Sequence, residues 1–230
     1  MSVQTENQRM LSLKERAGFE WIWVVLVFLL QPGCESVEYG VKEKFGIEKR
    51  DILSARVKDA MAAQEDAKAQ FQSALEEFSA VTGYRGGDLE DLYDGISGAL
   101  KESESKAETV SHRILDVQRV SGALFIEWRD ELGKYSSAAL RRSSEQKLKA
   151  TEAKYKDLMA SMLRAESRMK PVLDAFRDQV LYLKHNLNAR AIASLKNELA
   201  AIETDVARLI REMEASIARS QAFVKDLEGV

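Results

Sequence analysis

Cysteine is almost missing from this chain: Cys34 is the only one in 230 residues. A single thiol excludes an internal disulfide framework and a cysteine-based zinc cluster. Histidine is nearly as scarce. His112 and His185 lie in distant segments, which argues against a histidine metal site. Proline occurs twice, and aromatic residues make up only 7% of the chain. With so few strand formers and breakers, the abundant Ala, Leu, Glu, Lys and Arg point to long helices. Charge of one sign is lacking too. The 34 basic and 37 acidic residues leave a net charge of −3, and a pI near 5.7 gives no overall attraction to nucleic acid. What is present is a 45% hydrophobic share, enough to fill a core.

The longest apolar run is short. Trp21 to Leu30 (WIWVVLVFLL) follows Arg9, Lys14 and Arg16. It reaches ~15 Å as a helix, about half of a ~30 Å hydrocarbon core. That length suits a signal-peptide core and falls short of a spanning helix. Gln31-Pro32-Gly33-Cys34 comes next. A small residue before a lone cysteine, directly after the apolar core, resembles a bacterial lipoprotein signal. The resemblance implies cleavage before Cys34 and lipidation of its thiol. Gln31 stands where such signals usually carry Leu, and Pro32 is unusual there. An uncleaved N-terminal anchor with a free Cys34 is the alternative. Met10, in place of Met1, would start a signal of more ordinary length, 24 residues. Glu35, in place of the Asp that commonly retains lipoproteins at the inner membrane, implies the outer membrane facing the periplasm. An inner-membrane anchor is the alternative.

The expected organisation is a signal over 1–33, a lipidated tether over 34–50 and a helical bundle over 51–230. Leu53, Val57, Ala60, Gln64, Ala67, Phe71, Ala74, Phe78 and Val81 are spaced by alternating fours and threes. This is a heptad seam with one polar residue, Gln64. Gly83, Gly86 and Gly87 then mark a turn, with Asp88 as N-cap. A second faultless seam runs from Leu89 to Trp128. Gly133 and the stretch Ser136 to Ser144 (SSAALRRSS) read as the next link. A third seam takes Leu148, Tyr155, Met159, Met162, Glu166, Met169, Leu173, Phe176, Val180, Leu183 and Leu187, with Pro171 predicted to bend the helix or start a new one. After Leu187 the register slips by one, and Asn188 offers an N-cap for a fourth seam through Ile192, Met213, Ile217, Phe223 and Leu227. The predicted helices cover about 51–81, 88–132, 144–186 and 189–228. Short links make them antiparallel. The fold class is all-α: an elongated antiparallel four-helix bundle or long coiled-coil hairpins. The rival is one bent helix over 144–227.

Chemistry-bearing motifs are sparse. Gly133-Lys134 lacks the upstream glycine of a phosphate loop, and there is no HExxH zinc motif. Adjacent Ser111 and His112 point to different helix sides. Paired carboxylates such as Glu76-Glu77 read as solvated helix faces. No catalytic residue, metal site or cofactor is expected. Lys42, Lys44, Lys49 and Arg50 are interleaved with Glu38, Glu43 and Glu48, and read as a solvated tether. Arg141 and Arg142 lie among small and polar residues, on a link that returns to the anchored end. They are candidates for membrane-proximal contact with headgroups, against the alternative of a solvated loop. The far end collects Tyr84, Arg85, His185, Asn186, Asn188 and Arg190. These are candidates for contact with an envelope protein or cell-wall partner, although turn chemistry alone accounts for the asparagines.

The runs GIEKRDIL (Gly46 to Leu53), GGDLEDLY (Gly86 to Tyr93), YSSAALRRSSE (Tyr135 to Glu145) and VLYLKHNLNARAI (Val180 to Ile192) resemble a family of uncharacterised Gram-negative lipoproteins with helical, coiled-coil bodies. The resemblance spans nearly all of 34–230 and implies no activity. The DNA-repair or ATPase label that such proteins sometimes carry is disfavoured here, because there is no phosphate loop and the chain is expected to be exported. A structural or interaction module of the cell envelope is the leading reading. A lipid- or apolar-ligand-binding bundle is the alternative, and self-association is open.

Overall fold

The computed structural model describes residues 49–83, 89–186 and 188–229. All the described structure lies in the unit 49–230. It is built from four helices and, among the described residues, no strands. These are α1 (Lys49–Thr82), α2 (Leu89–Leu132), α3 (Ala138–His185) and α4 (Ala189–Glu228). Each helix packs on its two neighbours in a closed ring: α1 and α3 both touch α2 and α4. The ion pairs fix the direction. Lys49 meets Glu127 and Lys106 meets Asp66, so numbers rise along α1 as they fall along α2. Lys154–Asp226 and Arg164–Glu212 show the same for α3 and α4. The antiparallel four-helix bundle therefore stands as expected, and its 44-residue α2 alone reaches ~66 Å.

The first two seams form the core as read. Every α1 seam residue from Leu53 to Val81 is buried, as is every α2 position from Ile96 to Leu124. Two aromatic clusters tie the helices across the interior. Phe176 of α3 stacks on Phe78 of α1 at 4.4 Å and lies 6.4 Å from Phe71. Tyr155 of α3 meets Phe125 of α2 edge-on at 5.3 Å and Phe223 of α4 at 6.4 Å. Such pairs add ~0.5–1.5 kcal/mol each beyond their burial.

The third and fourth seams need correction. Tyr155, Met162, Met169, Phe176 and Leu183 recur every seven residues, and Met159 and Val180, four on from Tyr155 and Phe176, are buried as read. In the middle of the helix the second seam position follows by three residues, not four: Ala165 and Val172 are buried, whereas Glu166 and Leu173 are half-buried. Both offsets satisfy a heptad, and the apolar Leu173 favoured the wrong one there. In α4 the seam includes Ser216 and Ser220, both fully buried, which hydrophobicity could not flag. A helix interior tolerates such hydroxyls when they bond to the carbonyl one turn back. Ser220 Oγ donates to Ser216 O at 2.9 Å, and Ser103 Oγ to Ala99 O at 2.7 Å.

The helix ends differ as well. α3 begins at Ala138, not at 144, so most of the expected link is helical. Ser137, in an extended conformation, caps it and accepts from the Leu140 N–H at 3.4 Å. Ala138 to Arg142 are strong helix formers that need no seam to continue a capped turn. Lys49 belongs to α1, not to a solvated tether, and its ammonium is largely buried against Glu127. α3 runs unbroken through Pro171, whose ring lies on the exposed side. It ends at His185, which rules out one bent helix; the Asn188 carbonyl then accepts from the Ile192 N–H at 3.2 Å.

Gln64 is the outlier of the core. Its side chain is fully buried, and neither amide atom has a hydrogen-bond partner; the Ser161 and Ser216 hydroxyls share that condition. An unsatisfied buried polar group costs ~1–3 kcal/mol. Gln64→Met, similar in shape but without the amide, should therefore raise stability by ~1–3 kcal/mol. Phe176→Ala should lower it by ~3–5 kcal/mol. Urea unfolding followed by circular dichroism measures both; a Gln64→Met protein less stable than the parent would show that the amide is satisfied in solution.

Candidate functional site

The two ends of the bundle differ in construction. At the end where the chain enters α1, the helices are not flush. Lys49, the first residue of α1, donates to Glu127 at 2.8 Å, and α2 continues for five residues more, to Leu132. On the other side, α4 finishes at Glu228, two residues beyond Asp226, which pairs with Lys154. α3 begins 16 residues before Lys154, a distance of ~24 Å along the helix. The α2–α3 turn thus overhangs the end of α1 by ~8 Å and that of α4 by ~21 Å.

Side chains brace this overhang. Trp128 Nε1 donates to Ser144 Oγ at 2.8 Å, one helix to the next. Arg129 of α2 and Glu152 of α3 form an ion pair. Arg141 and Arg142 stand exposed in the first turns of α3, on a helix and not on a loop. Two exposed apolar side chains accompany them, Tyr135 at 42% and Leu140 at 61% exposure. Sequence reading singled out the arginines and missed these two. The available signal was that neither falls on a seam. Cys34 lies outside the described residues.

At the far end, His185, Asn186 and Asn188 come together and carry turn chemistry. The Asn186 N–H donates to Leu183 O at 3.0 Å, its Nδ2 to Tyr182 O at 2.9 Å, and the Asn188 N–H to Asn186 O at 2.8 Å. Tyr182 Oη accepts from Ser194 Oγ at 3.2 Å, bridging α3 and α4. Leu181 and Tyr182 are exposed beside this turn and were not anticipated. Arg190 takes its place in the first turn of α4. Tyr84 and Arg85 lie outside the described residues.

Electrostatic perturbations are those of surface pairs. Bonds from Lys58 (2.6 Å) and Ser54 (3.1 Å) hold the Glu228 carboxyl below the usual glutamate range. Lys149 does the same for Glu145, with a smaller contribution from Arg141. Burial pushes the Tyr155 phenol up, partly offset by its bond with Ser121. A recess of 90 Å³ between α3 and α4, lined by Lys147, Thr151, Lys154, Phe223 and Asp226, is too small for a drug-sized ligand. Among the described residues, no three His, Cys, Asp or Glu side chains could hold a metal ion, and no helix is long and apolar enough to cross a membrane.

Glu228 links the end of α4 to α1, and its depressed folded value makes the link acid-sensitive. The stabilisation is present above the ordinary glutamate pKa and is lost as pH falls through the folded one. Glu228→Gln should therefore flatten the dependence of thermal stability on pH below about pH 4.5. Melting curves between pH 6 and pH 3 check this; identical profiles for parent and variant would refute it.

A family model described as a protein of unknown function, DUF2959, matches residues 38–227. No curated protein and no solved structure matches the chain.

Proposed function

The chain belongs to the DUF2959 family, and on that premise we propose that it is a lipid-anchored, non-catalytic module of the cell envelope. The carrying observation is the placement of the only cysteine. Cys34 follows a short apolar run and precedes the first residue of α1 by 15 positions. Fifteen residues span at most ~50 Å, so a lipid on Cys34 keeps the entering end of the bundle close to its membrane. A single acyl chain holds weakly, and stable anchoring needs a second signal. The outer membrane, facing the periplasm, is the favoured site because of Glu35, with the inner membrane as the alternative.

The bundle then acts as a spacer. Its far end, with Leu181, Tyr182 and His185 exposed, lies a bundle length from the anchor and is where an envelope protein or the cell wall would be met. A second reading, an apolar-ligand-binding bundle, draws on the middle of the core. There Ala67, Ala107 and Ala165 are small, Met162 and Met213 are adaptable, and the Gln64 amide is unsatisfied. Lipid retained by the purified protein in native mass spectrometry would favour that reading.

Labelled palmitate should enter the wild-type protein in a Gram-negative host and be absent from Cys34→Ser. Absence of label from both would refute the anchor.

A further inference from the structure

We propose that the overhanging α2–α3 turn is a membrane-surface contact. Lys134, Arg141 and Arg142 engage anionic phospholipid headgroups there, and Tyr135 and Leu140 enter the interfacial layer. This rests on the membrane location proposed above but assigns a separate element and a separate partner chemistry.

Three independent observations meet at this turn. The first is shape. The turn projects ~8 Å past α1 and ~21 Å past α4, so it is the part of the bundle that a flat surface at this end meets first. The second is charge. From Gly133 through Ser144 the sequence holds Lys134, Arg141 and Arg142 and no acid. Among the described residues, no carboxylate lies within ion-pair distance of these three. Asp130 and Glu131, exposed at the end of α2, offset part of this field, as does Glu145, one turn on from Arg141, although Glu145 also pairs with Lys149. The third is exposure. Tyr135 and Leu140 leave apolar surface in water beside the cations, the combination that interfacial segments use. Leu115, Ile126 and Leu163 are also exposed, but they lie along the flanks of the bundle, where single apolar residues are ordinary.

The array is held in place. Helix α3 starts at Ala138, and the Trp128–Ser144 bond and the Arg129–Glu152 pair fix its first turns against α2. Arg141 and Arg142 are therefore presented on a braced helix, and Lys134 lies in the turn just before it. The position of the chain outside the bundle agrees. The apolar run Trp21–Leu30 and Cys34 both precede α1, and α1 begins at this same end. Neither tether dictates an orientation, since 15 to 19 residues of chain span ~50–65 Å. Contact by the turn would supply that orientation and stand the bundle upright, its far end away from the bilayer. Three cations near an anionic surface favour contact by roughly a hundredfold, reduced to about fivefold where Asp130 and Glu131 each cancel one.

The test uses the full-length chain with Cys34→Ser, held on vesicles by Trp21–Leu30. A nitroxide is placed at Ser136→Cys in the turn or at Lys184→Cys at the far end. On vesicles containing phosphatidylglycerol, the label at 136 should be shielded several-fold from a water-soluble nickel chelate and remain open to oxygen, while the label at 184 stays fully aqueous. Arg141→Glu/Arg142→Glu, or vesicles of phosphatidylcholine alone, should return the 136 label to aqueous values. Equal accessibility at both positions, shielding that survives charge reversal, or failure of the chain to float with anionic vesicles would each overturn the proposal. Because Cys34 is absent from every protein in this experiment, the outcome is independent of lipidation at that residue.

Discussion

The alternation of threes and fours along each helix is the constraint on which everything else depends. It turns one stripe of each helix inward at 3.5 residues per turn, and four such stripes can be hidden only against one another. The conformational cost of ordering some 170 residues is met largely by that shared interior. Where the stripe is small or hydroxylated, as at Ser103, Ala107, Ser216 and Ser220, the helices still close, because Ser103 and Ser220 return their hydroxyls to their own helices. Gln64 has no such route, and the seam carries it at a cost. Polar seam residues often specify register, a role that fits a position midway along α1.

α3 organises the interior. Its Tyr155 and Phe176 stand three heptads apart, and each forms the hub of an aromatic cluster reaching the other helices. α3 is also the longest helix, with 48 residues, and it starts well before the level at which α4 ends. At the far end α3 and α4 are joined by a tight asparagine turn. At the near end α2 and α3 run on together and carry exposed cations, a tyrosine and a leucine into solvent.

Much of this was legible in the residues. The all-α class, the antiparallel order, the first two seams and the position of the break near 186–188 follow from periodicity and from turn residues. The start of α3 was not legible. SSAALRRSS contains no seam, and a reading based on hydrophobic period passes over a helix that has nothing to pack against. Local capping by Ser137 and helix propensity carry it instead. The offset in the third seam failed for the opposite reason. Val172 and Leu173 supply apolar residues at both candidate positions, and period alone cannot choose between them. Of the candidate site, Arg141 and Arg142 were visible as an acid-free cluster. Tyr135 and Leu140 were not, because exposure is a property of the packed bundle.

The sequence by itself determined that there are helices, how many, and which stripe of the first two is buried, because a heptad is a property of spacing along one chain. It also carried the whole argument for the anchor, which lies in the order of a few residues around Cys34. Only the tertiary structure decided that the α2–α3 turn overhangs the ends of α1 and α4. That depends on the register between helices, set by contacts such as Lys49–Glu127 and Lys154–Asp226 between residues distant in the chain.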